Sequence, residues 1–260
     1  MVALGRDILM QGRVIWALLL RELQTRYGRE NLGFLWIIGE PILFCAGVAI
    51  VWSAIRPSHE HGIPVTAFVI TGYVPLTLWR HCVGRALKAF EANGSLLFHR
   101  QVSPLDIILA RVMLETLGTL MAGLIVAAGA MLLGAMEWPA NPALLYTGIV
   151  FYIGYALGCA LVIASLSERS DFIEKMMSAI MYLSLPLSGA FNMVSWIPQK
   201  YQWILLLSPS VHAMEMIRGG QFGPSSHPIF SYSFATWTIG TLIVVGVSMT
   251  LRSRRHILVQ

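Results

Sequence analysis

The sequence predicts an all-α integral membrane fold, with six transmembrane helices, an N-terminal amphipathic interfacial helix, and re-entrant helices on the outer face between spans 5 and 6. Three observations lead there. Crossing about 30 Å of hydrocarbon at 1.5 Å per residue takes about 20 apolar residues, and no Asp, Glu, Lys or Arg occurs between Glu137 and Glu168, between Lys175 and Lys200, or between Arg218 and Arg252. Only 12% of residues are charged against 56% hydrophobic, too little charge to cover a water-facing surface. Finally, fourteen of the eighteen Lys and Arg residues fall on one alternating set of segments. Basic residues are retained in the cytoplasm, so both termini are expected there. The net charge of +5 then reflects topology and anionic headgroups, with no need of a nucleic-acid partner.

Residues 1–33 read as a cytoplasmic segment, residues 34–251 as the transmembrane domain and residues 252–260 as a cytoplasmic tail. In the first, Trp16, Leu19, Leu20, Leu23 and Tyr27 recur at helical spacing, opposite Arg21, Glu22, Thr25, Arg26 and Arg29. This helix is expected to lie on the membrane. The apolar run Val14 to Leu20 is short, bracketed by Arg13 and Arg21, and lacks a small-residue cleavage site, so it does not read as a cleavable signal.

The expected spans are Phe34 to Ile55, Ile63 to Trp79, Ile107 to Met136, Pro142 to Leu166, Met176 to Met193 and Phe230 to Leu251. Glu40, directly before Pro41, is an intramembrane carboxylate near the cytoplasmic end of the first span. After the second span, the loop from His81 to Pro104 mixes a helical stretch, Arg85 to Ala92, with the breaker pair Asn93-Gly94 and the exposed apolar run Leu96-Leu97-Phe98. Such a run amid charge suits either a knob for a soluble partner or a loop folded back on the protein's own base. Arg111 and Glu115 are spaced to pair along their own helix. Gly154 and Gly158 have the spacing that lets helices approach closely. Asp171, ahead of Phe172 and Ile173, reads as a helix cap on a second, smaller knob.

Between the fifth and sixth spans, Val194 to Ile229 is too apolar for an ordinary loop. Its charge-free run Tyr201 to Met214 is cut by Pro209 and cannot cross as one helix, so two short helices dipping inward fit better. Non-helical backbone at that depth survives only where protein or water covers it, which favours the mouth of a pathway. Several Trp residues mark span ends as aromatic belts. Tyr73, Tyr155 and Trp203 stand away from the charge borders and are candidates for a channel lining.

Other chemistries are disfavoured. Cys45, Cys82 and Cys159 are scattered and suggest neither a disulfide framework nor a metal cage, and His59 and His61 make a poor metal site. No Gly-Lys pair occurs, so the phosphate-binding loop of ATPases is missing and the chain is not expected to be an enzyme by itself. Mid-span charges do not repeat as ion relays require.

The run Arg21-Glu22-Leu23-Gln24-Thr25-Arg26-Tyr27, followed by Leu32-Gly33-Phe34-Leu35-Trp36 and Pro41, resembles the entrance motif of ABC-2 type polysaccharide export permeases. Asn93 to Arg100 with Val102-Ser103-Pro104-Leu105 resembles their coupling loop. Ser208-Pro209 through Glu215 and Arg218 resembles their late Asn-Pro segment ending in Arg, with Ser208 where many relatives have Asn. The compact length is most similar to the Gram-negative capsular polysaccharide exporters of the KpsM type.

The resemblance implies a homodimer with two copies of a separate nucleotide-binding ATPase (KpsT type) that holds ATP and Mg, no cofactor on this chain, a periplasmic polysaccharide co-polymerase and an outer-membrane exporter. It implies a lipid-linked capsular polysaccharide as cargo, moved across the inner membrane; O-antigen, teichoic acid or another glycan or lipid is the alternative. It also implies site roles. Arg26, Tyr27, Arg29, Trp36 and Glu40 would form a cytoplasmic gate at the lipid headgroup; Glu91, Asn93, Leu96, Phe98 and His99 would couple to the ATPase; Trp196, Trp203, Pro209, Glu215 and Arg218 would form a periplasmic gate.

Overall fold

The computed structural model describes the backbone of residues 2–27, 33–55, 59–60, 62–97 and 102–257, and most of their side chains. The expectations for Arg29, Phe98 and His99, and for the side chains of Arg26, Tyr27 and Trp36, lie outside the described residues. What is described is almost entirely helical. In chain order the elements are α1 (Val2–Tyr27), α2 (Gly33–Ile55), a small antiparallel hairpin of β1 (His59–Glu60) and β2 (Ile63–Pro64), α3 (Val65–Ala86), α4 (Gly94–Leu97), α5 (Pro104–Leu132), α6 (Pro142–Ser167), α7 (Asp171–Leu183), α8 (Gln199–Leu206), α9 (Pro209–Phe222) and α10 (Tyr232–Ile257).

Local chemistry sets the clearest boundaries. α5 opens on a capping box: the Asp106 backbone N–H donates to Ser103 Oγ, the Ser103 backbone N–H donates to Asp106 Oδ2, and Pro104 occupies the first helical position. α6 opens with the Asn141 side chain accepting from the Leu144 backbone N–H, again ahead of a proline. Among the described residues, three stretches are long and apolar enough to cross a bilayer: α5, α6, and Tyr232–Ser253 of α10. The apolar part of α2 is the shorter Ile38–Trp52. α3 has 22 residues but carries Arg80, His81 and Arg85 near its end.

α6 is the packing hub, in contact with α3, α9 and α10. Its small residues explain how. A Cβ on Gly148 would sit 2.7 Å from the Ile217 backbone nitrogen of α9, and one on Gly158 would sit 2.9 Å from the Leu242 side chain of α10. The Gly154–Gly158 face therefore serves packing within the chain, against α10. Around this hub the main core gathers Leu76, Trp79 and Val83 of α3, Ile108 of α5, Tyr152, Ala156 and Ala160 of α6, and Ala213 and Ile217 of α9.

Four expectations are corrected. The fifth span, placed at Met176 to Met193, is a helix of only 13 residues, Asp171–Leu183, followed by turns through Phe191. Pro186 removes a backbone donor and Gly189 adopts φ +78°, so the helix stops. Its N-cap is Ser170, with Asp171 in the first turn. Next, the Asn93-Gly94 pair does not break the chain. The break comes earlier, at a turn around Lys88 with φ +47°, and Gly94 opens α4.

The third correction concerns α1, which docks on protein as well as facing out. Leu19 is buried with Ala110 and Leu114 of α5, and Ile15, Leu18 and Leu23 pack around them. Glu22, read as part of the outward polar face, pairs with Arg111 at 3.2 Å. That pairing brings the fourth: Arg111 reaches to α1, and Glu115 accepts contacts from Arg85 and His81 of α3 at 3.7 and 3.5 Å, so these charges tie helices together.

Candidate functional site

α9 is buried along nearly its whole length, from Ser210 to Gln221. Two of its charged side chains hold the irregular backbone around it. Arg218, completely buried, donates from Nη1 to the carbonyl oxygens of Gly189 (2.5 Å) and Asn192 (3.1 Å), and from Nη2 to that of Ala190 (2.6 Å). Its guanidinium lies 4.0 Å from the centre of the Phe68 ring, and Trp196 stacks on Phe68 at 4.7 Å. One helical turn away, Glu215 accepts from the backbone N–H groups of Val194 and Ile229, both at 3.0 Å. The pair therefore fixes both strands of non-helical chain that flank α9. His212 adds a third tether: Nδ1 accepts from the Ser231 backbone N–H, so the proton sits on Nε2, which donates to the Leu206 carbonyl.

A second polar cluster links α1, α2, α3 and α5. Glu40 of α2 lies 3.9 Å from His81 Nε2, whose Nδ1 faces Glu115 of α5, which in turn faces Arg85. Arg111 donates to the Arg85 carbonyl at 2.7 Å and pairs with Glu22. Glu40, Thr77, Arg80 and His81 line a cavity of about 280 Å³. Glu40 is half exposed at its edge.

The segment between α3 and α5 folds onto the body of the protein. Phe90 and Leu97 are buried in the main core, and Leu96 is half-buried, so of the two readings the described residues favour the loop folded back on the protein's own base. Each such burial stabilises the loop by about 1.5–3 kcal/mol. Asn93 is buried too, accepting from Arg21 Nη1 at 2.8 Å and donating to the Ala89 carbonyl. What faces out is Glu91, Ala92 and Ser95. Lys88 clasps this segment to the next: its Nζ lies 3.7 Å from Glu91, 3.4 Å from Asp171 and 3.1 Å from Glu174, and its backbone N–H donates to Ser167 Oγ. The hydrogen bond to Glu174, followed by the carboxylate charges, holds the Lys88 ammonium above its ordinary pKa. Beside them, Phe172 is exposed.

A third feature is aromatic. Trp79 and Tyr155 stack with planes 12° apart, Tyr152 meets Tyr155 edge-on, and the three border a cavity of about 390 Å³ with the hydroxyls of Ser184, Ser188, Ser208 and Ser210.

The expected site residues thus divide. Trp196, Glu215 and Arg218 converge on one network, with Pro209 at the start of α9, while Trp203 is exposed on α8 and stands apart. Tyr155 borders the aromatic cavity; Tyr73 packs instead between Phe44 and Phe191. Of the coupling residues, Glu91 is exposed, Leu96 half-buried and Asn93 buried. Phe68, the Lys88 clasp and the Gly189–Ala190 carbonyls carry no signal in the sequence that singles them out, and nothing there pairs Arg21 with Asn93. No cluster of metal-ligating side chains occurs among the described residues.

Comparison with known proteins gives this architecture a family. A model of the ABC-2 type transporter matches residues 13–222. The capsule polysaccharide export inner-membrane protein CtrC of Neisseria meningitidis serogroup B is 39% identical over 217 residues, 84% of this chain and 82% of CtrC. BexB of Haemophilus influenzae, of the same description, is 35% identical over 244 residues, 94% of this chain and 92% of BexB. The polysialic acid transport protein KpsM of Escherichia coli is 27% identical over 243 residues, 90% of this chain and 92% of KpsM. This multi-pass membrane chain belongs to the ABC-2 type transporter family.

Proposed function

We propose that the chain is the permease subunit of an ATP-binding cassette exporter that moves lipid-linked capsular polysaccharide from cytoplasm to periplasm across the inner membrane. One observation carries the reading: similarity over most of both chains to CtrC and BexB, each described as a capsule polysaccharide export inner-membrane protein. Family membership implies an ATPase partner. The permease is a homodimer bearing two such ATPases, with both termini cytoplasmic, ATP and Mg on the ATPase, and no cofactor on this chain. A periplasmic co-polymerase and an outer-membrane exporter continue the path.

The residues take the following roles. Glu91 and Ser95, with Phe172 of α7, form the surface that seats in the ATPase, while Phe90, Asn93 and Leu97 anchor that surface to the body. Lys88 makes the two cytoplasmic segments move together. Arg26, Tyr27, Arg29, Trp36 and Glu40 form the inner gate that meets the lipid headgroup. Trp196, Glu215 and Arg218 hold re-entrant chain at the periplasmic gate, and Tyr155 with Trp79 offers flat faces on which a sugar ring slides. ATP-driven closure of the ATPases shifts these helices between two arrangements, and weak contacts at many points let the polymer advance in steps.

Deletion of the gene in its host tests the reading. Surface capsule is expected to vanish while lipid-linked polymer accumulates inside, and the intact gene is expected to restore export. A deletion strain whose capsule is unchanged, or one that accumulates a different glycan, would refute the cargo assignment.

A further inference from the structure

We propose that the cavity between α2, α3 and α7 binds the phosphodiester that joins a lipid to a sugar, with Arg80 on the phosphate and Glu40 on the sugar hydroxyls. This rests on the exporter reading above and adds to it the side chains that recognise the lipid-linked end of the cargo.

Tyr73, Thr77, Arg80, His81 and Gly84 recur at helical spacing, so α3 carries a polar stripe along one face. Charged side chains of membrane helices mark a substrate path where they face a cavity instead of lipid. Thr77, Arg80 and His81 line such a cavity with Glu40 of α2, and Phe44 and Met181 give it an apolar side. Its volume of about 280 Å³ is close to the lower end of small-molecule sites, which suits a headgroup.

Arg80 is half-buried. Alone among the described arginines that are not exposed, it makes neither a hydrogen bond nor an ion pair: Arg111 pairs with Glu22, and Arg218 holds three carbonyls. The nearest carboxylates face other groups, Glu115 toward His81 and Arg85 and Glu40 toward His81. A guanidinium drawn part-way out of water calls for an anion, and its planar fork matches two oxygens of a phosphate. Glu40 is half exposed at the cavity edge, and its 3.9 Å to His81 Nε2 is too long for a hydrogen bond, so the carboxylate can accept from an incoming hydroxyl. It repels a bare phosphate dianion, yet a phosphodiester that bears hydroxyls satisfies both side chains. Arg80 directly follows Trp79 at the inner end of the expected second span, and Glu40 lies near the inner end of the first, which puts the pair at the level of inner-leaflet phosphates.

Binding of three short-chain lipids to the purified full chain in detergent tests this. Dioctanoyl phosphatidylinositol carries the phosphodiester and a hydroxylated ring, dioctanoyl phosphatidylmethanol the phosphodiester alone, and glucosyl dioctanoylglycerol the ring alone. The inositol lipid is expected to bind about tenfold more tightly than either of the others. Arg80→Gln is expected to bring it down to the level of the glucosyl lipid, Arg80→Lys to recover part, and Glu40→Leu to bring it down to the level of phosphatidylmethanol. Because Arg80 has no partner in the fold, Arg80→Gln is expected to keep the wild-type Tm. Equal binding of all three lipids, or tight inositol-lipid binding that survives Arg80→Gln, would overturn the site. Phosphatidylmethanol binding as tightly as the inositol lipid would overturn the role of Glu40 and assign the cavity to any membrane phosphate, and displacement by an equal concentration of inorganic phosphate would overturn the lipid source. In the host, Arg80→Gln is expected to lower surface capsule about tenfold while lipid-linked polymer accumulates inside. Full export by that variant would overturn the site alone, whereas a deletion strain with unchanged capsule would overturn the reading on which it rests.

Discussion

Arg218 satisfies three carbonyl oxygens on a turn that has no regular secondary structure, and a Cβ on Gly72 would intrude on the same spot, 2.6 Å from the Ala190 oxygen and 2.8 Å from Arg218 Nη2. Arg218→Met keeps much of the volume but strands those carbonyls, so a loss of roughly 3 kcal/mol or more is expected. Arg218→Lys retains the charge without the fork and is expected to recover only part. Gly72→Ala is expected to cost about 1–3 kcal/mol by overpacking, and thermal unfolding in detergent measures all three. Glu168, just past α6, gives a pH test. Burial, then repulsion by Glu91, pushes its carboxyl above the ordinary carboxylate pKa. A raised acid pKa means the folded state holds the proton more tightly, so its contribution favours folding at low pH and is lost as pH rises through the folded pKa. Glu168→Gln is therefore expected to raise Tm at neutral pH and to leave it unchanged at pH well below the carboxylate range. The sequence marked Glu215 and Arg218 by type and place, but their partners lie on residues 189–194, residue 229 and Phe68, which only the fold brings near.

Lys88 joins two segments that the sequence separates by some eighty residues, and it does so from a left-handed backbone conformation, φ +47°, that favours glycine. Lys88→Ala loses the clasp and keeps the strain; Lys88→Gly loses both. The glycine variant is expected to unfold at the higher temperature of the two, and the reverse order would mean that the strain is absent. Because the lysine pKa is raised, the stability this clasp contributes is present throughout the neutral range and is lost only as pH climbs through the folded pKa, in alkali. Elements with local signals were the ones readable in advance. The expected span starting at Pro142 matches the start of α6, where Asn141-Pro142 is a local start signal, and Ser103-Pro104 is the same signal for α5, because capping is decided within a turn of helix. The fifth span failed because hydropathy registers apolar length and is blind to Pro186 and Gly189, which end α7 early. The inward turn of Asn93 and Leu97 is one of two readings the sequence leaves open, since an apolar residue in a polar loop reads the same whether its partner is another protein or its own core.

At the scale of the whole molecule, Arg21, Arg85, Lys88 and Arg111 gather where α1 and the Lys88 clasp meet the starts of α5 and α7, and Trp138 lies beyond the opposite end of α5, ahead of α6. That polarity underlies the exporter reading, since energy has to arrive where the ATPase is and cargo has to leave on the opposite side. Cys82 and Cys45 are buried and Cys159 is half-buried, so single new thiols can be read against a low background. The decisive measurement is labelling of Ser95→Cys and Ser225→Cys, both at exposed positions, with a membrane-impermeant thiol reagent in intact spheroplasts and after permeabilisation. Ser225→Cys is expected to react from outside, and Ser95→Cys only once the membrane is opened; reaction of Ser95→Cys in intact spheroplasts would put the coupling surface on the periplasmic side and contradict the account.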